Sequence, residues 1–220
     1  MAFDTETNGL LPKIDRSGAK QVPTIAEYPY ILQLSFVIYD MHKSKIIRTY
    51  DQYIRVADHV VISPFITELT GITRKICDEQ GITIERALRD FYHAYMSVGK
   101  VVAHNLAFDR RMIEIEVQRN MHHIRIPHIG FLFNETFNDL NGIETICTMV
   151  MTKNFCGLMM TNANGSQWLK NPKLMELHQK LFGSVPENLH NALVDTMACL
   201  RCYLKFKFGA TFEICKWVAP

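Results

Sequence analysis

The segment Tyr30 to Asp40 (YILQLSFVIYD) constrains the fold more than any other stretch of this chain. It is rich in β-branched and aromatic residues, which suit a pleated sheet, and reads as a strand. Ile46 to Val56 (IIRTYDQYIRV) alternates well enough to be its hairpin partner. The rest of the chain interleaves short apolar runs with helical periodicities, the order expected of an α/β layer structure. Ile66 to Leu69 and Ile84 to Met96 read as helical, the second with Ile84, Ala87, Leu88, Phe91 and Tyr95 at three- and four-residue steps. Val101 to His104 is a short buried strand, and a helix follows from Phe108 to Met121. Gly142 to Val150 offers another strand, Pro172 to Phe182 an amphipathic helix opened by Asn171-Pro172, and His190 to Phe206 the last element. At the start, Met1-Ala2-Phe3 is a brief apolar run that leads into Asp4 to Gly9, where Asn8-Gly9 marks a turn.

With 220 residues, 48% of them hydrophobic and 21% charged, the chain can bury a substantial core. Without internal repeats, low-complexity tracts or linker-like shifts, residues 1–220 are expected to form a single domain. A formal charge of only +2 excludes the overall basic field of a general nucleic-acid binder but leaves room for an acidic, metal-filled site. No membrane-length apolar run and no basic leader is present, so a soluble protein of the cytosol, nucleus or a viral compartment is expected, not a secreted one. The six cysteines lack the density of a disulfide framework. Cys199 and Cys202 form a lone CxxC within a helical segment and read as core, and His122, His123 and His128 as solvated residues. Lys13, Arg16 and Lys20, in a polar loop, could lie near a phosphate backbone or be simply solvated. The stretch Met159 to Lys170 has no assigned place; its Trp168 is expected to cover the core rather than stack on a base.

Chemistry-bearing residues recur where these elements end. Asp4 and Glu6 are two apart on a strand-like run, so both project from one face. Asp109 falls in the first turn of the helix after Val101 to His104, where an acid also favours the helix dipole. His190 and Asp195 are five apart, about 140° round a regular helix, so His190 belongs in the approach to the helix if both are to face one cleft. Asp4, Glu6, Asp109 and Asp195 offer hard oxygen ligands, which suit magnesium or manganese rather than zinc. Four converging carboxylates repel one another unless cations compensate, so the set makes physical sense as a cation cage. Two ions roughly 3.5–4 Å apart would clamp the attacking and leaving oxygens of a phosphodiester. His190 is then the general base that takes the proton of the attacking water.

FDTETNG (Phe3 to Gly9), VVAHNLAFD (Val101 to Asp109) and HNALVD (His190 to Asp195) resemble the three exonuclease motifs of the DEDDh family, the proofreading-subunit type of 3′→5′ exonuclease. Gly71-Ile72-Thr73 is a further feature similar to that family. The resemblance implies an α/β, ribonuclease H-like fold, a five-stranded mixed sheet flanked by helices on both faces, and two Mg²⁺ or Mn²⁺ ions per site. It implies that Asp4 touches both ions, that Glu6 and Asp195 hold the ion carrying the nucleophile, that Asp109 supports the other, and that His190 orients and deprotonates the water. Thr7, Asn8, Gly9, Asn105 and Phe108 match substrate-edge positions. The expected substrate is a nucleic-acid 3′ end, with single-stranded DNA favoured and RNA the alternative; a polymerase or replication partner is compatible with it, a membrane is not. A catalytically weak binding module and an endonuclease of the same superfold are the competing readings. Only Met1, Ala2 and Phe3 precede Asp4, fewer than family members usually carry, so the first strand is expected to be shortened.

Overall fold

A computed structural model describes residues 1–13, 23–187 and 189–212; Arg16 and Lys20 lie outside the described residues. Strand β1 (Ala2–Thr7) carries Asp4 and Glu6, as the strand-like run at the start of the sequence predicts. Thr5 and Thr7, both β-branched and buried, continue the inward alternation begun by Phe3. The hairpin of β2 (Ile31–Asp40) and β3 (Lys45–Tyr53) forms as the sequence predicts, and β1 pairs antiparallel with β2 along its whole length, from Ala2↔Val37 to Thr7↔Ile31. On its other edge β1 meets β4 (Lys100–Ala103) in parallel at Ala2↔Val102.

Between these pairs the chain forms three helices, α1 (Pro64–Thr70), α2 (Arg74–Gln80) and α3 (Ile84–Tyr95). The second was not expected, since its apolar content is slight; Thr73, whose hydroxyl accepts from the Ile76 amide, starts it directly after the left-handed Gly71 ends α1. After β4, α4 (Leu106–Asn120) begins two residues earlier than predicted. Short α5 (Glu135–Leu140) leads to β5 (Glu144–Cys147), which stops before Thr148 because the chain turns directly into α6 (Thr148–Met151) and α7 (Lys153–Cys156). Met159 to Lys170 contains a separate hairpin, β6 (Met159–Thr161) and β7 (Gln167–Leu169), and there Trp168 stands 41% exposed opposite Met160 instead of covering the core. Helix α8 (Leu174–Phe182) starts after Pro172, whose carbonyl accepts from the His104 ring 3.0 Å away. Last among the described residues, α9 (Ala192–Phe208) ends at the left-handed Gly209.

The main sheet has the order β3-β2-β1-β4-β5, antiparallel in its first three strands and parallel across β1-β4-β5, so the mixed five-stranded sheet expected from sequence is present. Side-chain alternation divides β1 and β2 between two layers. Phe3, Leu34 and Phe36 meet Phe91, Tyr95, Met112 and Ile113 of α3 and α4, with the Phe3 and Phe91 rings edge-on at 5.1 Å. On the opposite face Ala2, Val37 and Val102 meet Met197, Leu200 and Tyr203 of α9. Each fully buried Phe or Leu contributes about 1.5–3 kcal/mol, and Phe91→Ala at the centre of the first layer would cost about 3–5 kcal/mol. No helix among the described residues is long and apolar enough to cross a membrane.

Candidate active site

Asp4 and Glu6 share the face of β1 that meets α9. Asn191 caps α9, its side-chain oxygen accepting from the Leu193 and Val194 amides at 3.1 and 3.3 Å. The sheet fixes the same turn: the Ala192 amide donates to Gln33 Oε1 at 3.3 Å, and Thr196 Oγ1 donates to the Ser35 carbonyl at 3.4 Å. One turn inside this anchored start, Asp195 faces the strand, and one oxygen each from Asp4, Glu6 and Asp195 lie within 4.8 Å of one another.

Asp109 arrives from the other helical layer. Beyond its single pairing with β4, the free edge of β1 is closed by this carboxylate, whose Oδ1 accepts from the Thr5 amide at 3.1 Å and from Thr5 Oγ1 at 2.8 Å. Asp109 is buried, and Asn105 ahead of it takes a left-handed backbone (φ 64°) with no side-chain cap bond. Burial, then the charges of Asp109, Asp195 and Glu6, raises the Asp4 carboxyl far above the ordinary carboxylate range. Glu6 is held up at about 8 by burial, Asp195 and Asp109. Burial likewise raises Asp109 against the hydrogen bonds from Thr5, and Asp195 against the bond from the His190 amide.

That bond runs from the His190 amide to Asp195 Oδ2 at 3.1 Å, while Asp195 Oδ1 is buried with no hydrogen-bond partner among the described residues. A buried carboxylate oxygen without a donor costs free energy that a bound cation would recover, and three oxygen donors around one point suit a hard divalent ion. The residues therefore fit a metal. His190 precedes the α9 cap with an exposed side chain and a left-handed backbone (φ 70°), a conformation that costs about 1–3 kcal/mol in a residue other than glycine.

Other sequence-selected residues divide by role. Thr7 is buried and donates to the Gly9 carbonyl at 2.7 Å. Asn8 has both ends of its amide engaged, donating to the Val61 carbonyl at 3.0 Å and accepting from the Tyr30 amide at 2.7 Å. Asn105 is exposed, and Phe108 packs half-buried against the core. Sequence reasoning missed Thr5, which holds Asp109, and Gln33, which joins α9 to Asp51 of β3 through a 2.8 Å bond from its Nε2. The available signal for Gln33 was a Gln and a Ser two apart in the otherwise apolar run Ile31 to Ile38 of β2, both on the face toward α9.

Residues 1–203 match the family described as "Exonuclease", and the chain belongs to that family. Its acidic cluster joins Asp4 and Glu6 of the central strand to Asp195 of α9. Similar solved structures include one described as recognition of the histone mRNA stem-loop 3′ end by a 3′-exonuclease, at 18% identity and a TM-score of 0.61, covering 93% of this chain and 62% of that one. E. coli Exonuclease I in complex with a dA16 oligonucleotide is 18% identical with a TM-score of 0.59, covering 94% of this chain and 41% of that one. The zinc-bound form of the E. coli Exonuclease I complex with single-stranded DNA is 16% identical with a TM-score of 0.64, covering 94% and 40%. The chain thus spans less than two thirds of these proteins, and the likeness is one of fold. No curated protein gives a significant match.

Proposed function

We propose that this chain is a DEDDh-type exonuclease that removes nucleoside monophosphates one at a time from the 3′ end of DNA. The gathering of Asp4, Glu6 and Asp195 within 4.8 Å, with Asp109 bonded to the intervening Thr5, carries this reading. Asp4, Glu6, Asp195 and Asp109 would hold two Mg²⁺ or Mn²⁺ ions, which when bound supply Lewis-acid stabilisation of the phosphoryl oxygens and a more acidic water. His190, whose side chain is exposed and whose backbone amide donates to Asp195, takes the proton of the attacking water. Asn105, exposed beside Asp109, and the wall shaped by Thr7, Asn8, Gly9 and Phe108 orient the terminal nucleotide.

DNA is favoured as substrate and RNA is the second reading; among proteins of this fold, one 3′-exonuclease recognises an mRNA stem-loop and E. coli Exonuclease I is seen with a DNA oligonucleotide. The test is a 5′-labelled oligonucleotide, as DNA or RNA, incubated with Mg²⁺, Mn²⁺ or chelator. A ladder of shortened products that disappears with chelator, Asp4→Ala or His190→Ala is expected. Full activity in either variant sinks the assignment, and cleavage of a circular substrate would make the enzyme an endonuclease.

A further inference from the structure

We infer that a cleft on the outer side of α4 holds the nucleotide on the 5′ side of the scissile bond, with Arg110 and Arg111 taking the phosphate upstream of it. The inference rests on the nuclease reading above and extends it to a second substrate position. The first turns of α4 carry Asp109 inward to the carboxylates, while Leu106, Ala107, Arg110 and Arg111 line a cleft of about 580 Å³. Leu11 and Pro12, just beyond the end of β1, form another wall, so the cleft opens at the end of the sheet that bears the cluster. None of the four carboxylates lines it.

Its charge identifies the occupant. Arg110 Nε lies 2.7 Å from Glu114 Oε1 and Arg111 Nη1 lies 3.5 Å from Glu114 Oε2, so among the described residues two cations share one carboxylate and one positive charge is left over. Both arginine side chains are nearly half exposed, where ion pairs add little to stability, so folding alone does not require the second cation. Arg111 is nevertheless held in place, its guanidinium 5.2 Å from the centroid of the buried Tyr28 ring. A 3′-terminal nucleotide brings one phosphate, the scissile one, and that phosphate goes to the carboxylate cluster. Every other phosphate in the strand lies upstream, so guanidinium groups beside the cluster face the upstream part of the substrate. The remaining lining suits a base without reading its sequence: Val150 is 63% exposed with Met149 beside it, and Leu11 stands across the cleft.

The experiment compares thymidine dinucleotides with and without a 5′-phosphate, in Mn²⁺, as a ratio of kcat/KM for each protein. The 5′-phosphate stands where the arginines would bind, and a ratio cancels any general loss of activity. Wild type is expected to favour the phosphorylated dinucleotide by about tenfold, Arg110→Gln/Arg111→Gln to treat the two alike, and Arg110→Lys/Arg111→Lys to recover most of the preference. A wild type that shortens longer oligonucleotides yet ignores the 5′-phosphate overturns the subsite and leaves the nuclease reading intact. An undiminished preference in the Gln variant also overturns it. So does a raised KM of that variant for the p-nitrophenyl ester of thymidine 5′-monophosphate, which carries the terminal nucleotide alone. A wild type inactive on every substrate overturns both readings.

Discussion

Glu6→Gln measures the electrostatic load that the carboxylate cluster places on the metal-free chain. In the folded protein this carboxyl titrates at about 8, against an ordinary glutamate value of 4.5. Between those values the folded chain keeps a proton that the unfolded chain has lost. Stability is therefore full below the lower value and drains away as pH rises toward the upper one. At about 1.4 kcal/mol per pH unit the interval amounts to about 5 kcal/mol, and solvent access with proton sharing among Asp4, Asp195 and Glu6 reduces it to about 2–3 kcal/mol. Coulomb's law gives a similar scale, about 3–4 kcal/mol for two carboxylates separated by the 4.8 Å limit of the cluster, at an effective dielectric of about 20. Glutamine keeps the shape without the charge. Thermal unfolding of both proteins in chelator at pH 5.5 and 8.5 reads the difference: wild type should lose about 2–3 kcal/mol more than the variant, or about 5–10 °C in Tm for a chain of this size. Groups that titrate alike in both proteins, such as His104, cancel. Parallel stability curves across the pH range would refute the reasoning.

Because the cluster holds protons near neutrality, Mn²⁺ uptake at pH 7 should release them and tighten as pH rises; calorimetric heats independent of the buffer's ionisation enthalpy would contradict this. His190→Ala should lower kcat by about 10²–10⁴-fold while Mn²⁺ affinity stays within a few-fold, and a loss of Mn²⁺ binding would show the ring to be a ligand instead. Gln33→Leu strands the Ala192 amide and removes one donor to Asp51, which should cost about 1–3 kcal/mol and weaken Mn²⁺ binding together; an unchanged Tm would show that neither bond matters.

What could be read from sequence follows the range of the forces involved. The β2-β3 hairpin, α3 and α9 are legible because local patterning and core burial act on the same residues. Helix α2 escapes because one capping threonine starts a segment whose only buried residue is Cys77. The β6-β7 hairpin and the exposure of Trp168 escape because aromatic content alone does not say whether a ring meets core or solvent. Within the site, spacing singles out Asp4, Glu6, Asp109, His190 and Asp195, but their bonding partners depend on contacts far apart in the chain. Thr5 meets Asp109 across 104 positions and Gln33 meets Ala192 across 159, distances over which no local pattern carries information.

The bond from the Thr5 amide to Asp109 makes one backbone proton a reporter on the site's occupancy. Its acceptor changes character whenever Asp109 gains a proton or yields electron density to a cation, so its NMR chemical shift and its exchange with solvent record that change. A single isotope-labelled threonine signal can thus follow loading of the cluster in the absence of substrate, separating what the ions do to the protein from what they do to the reaction.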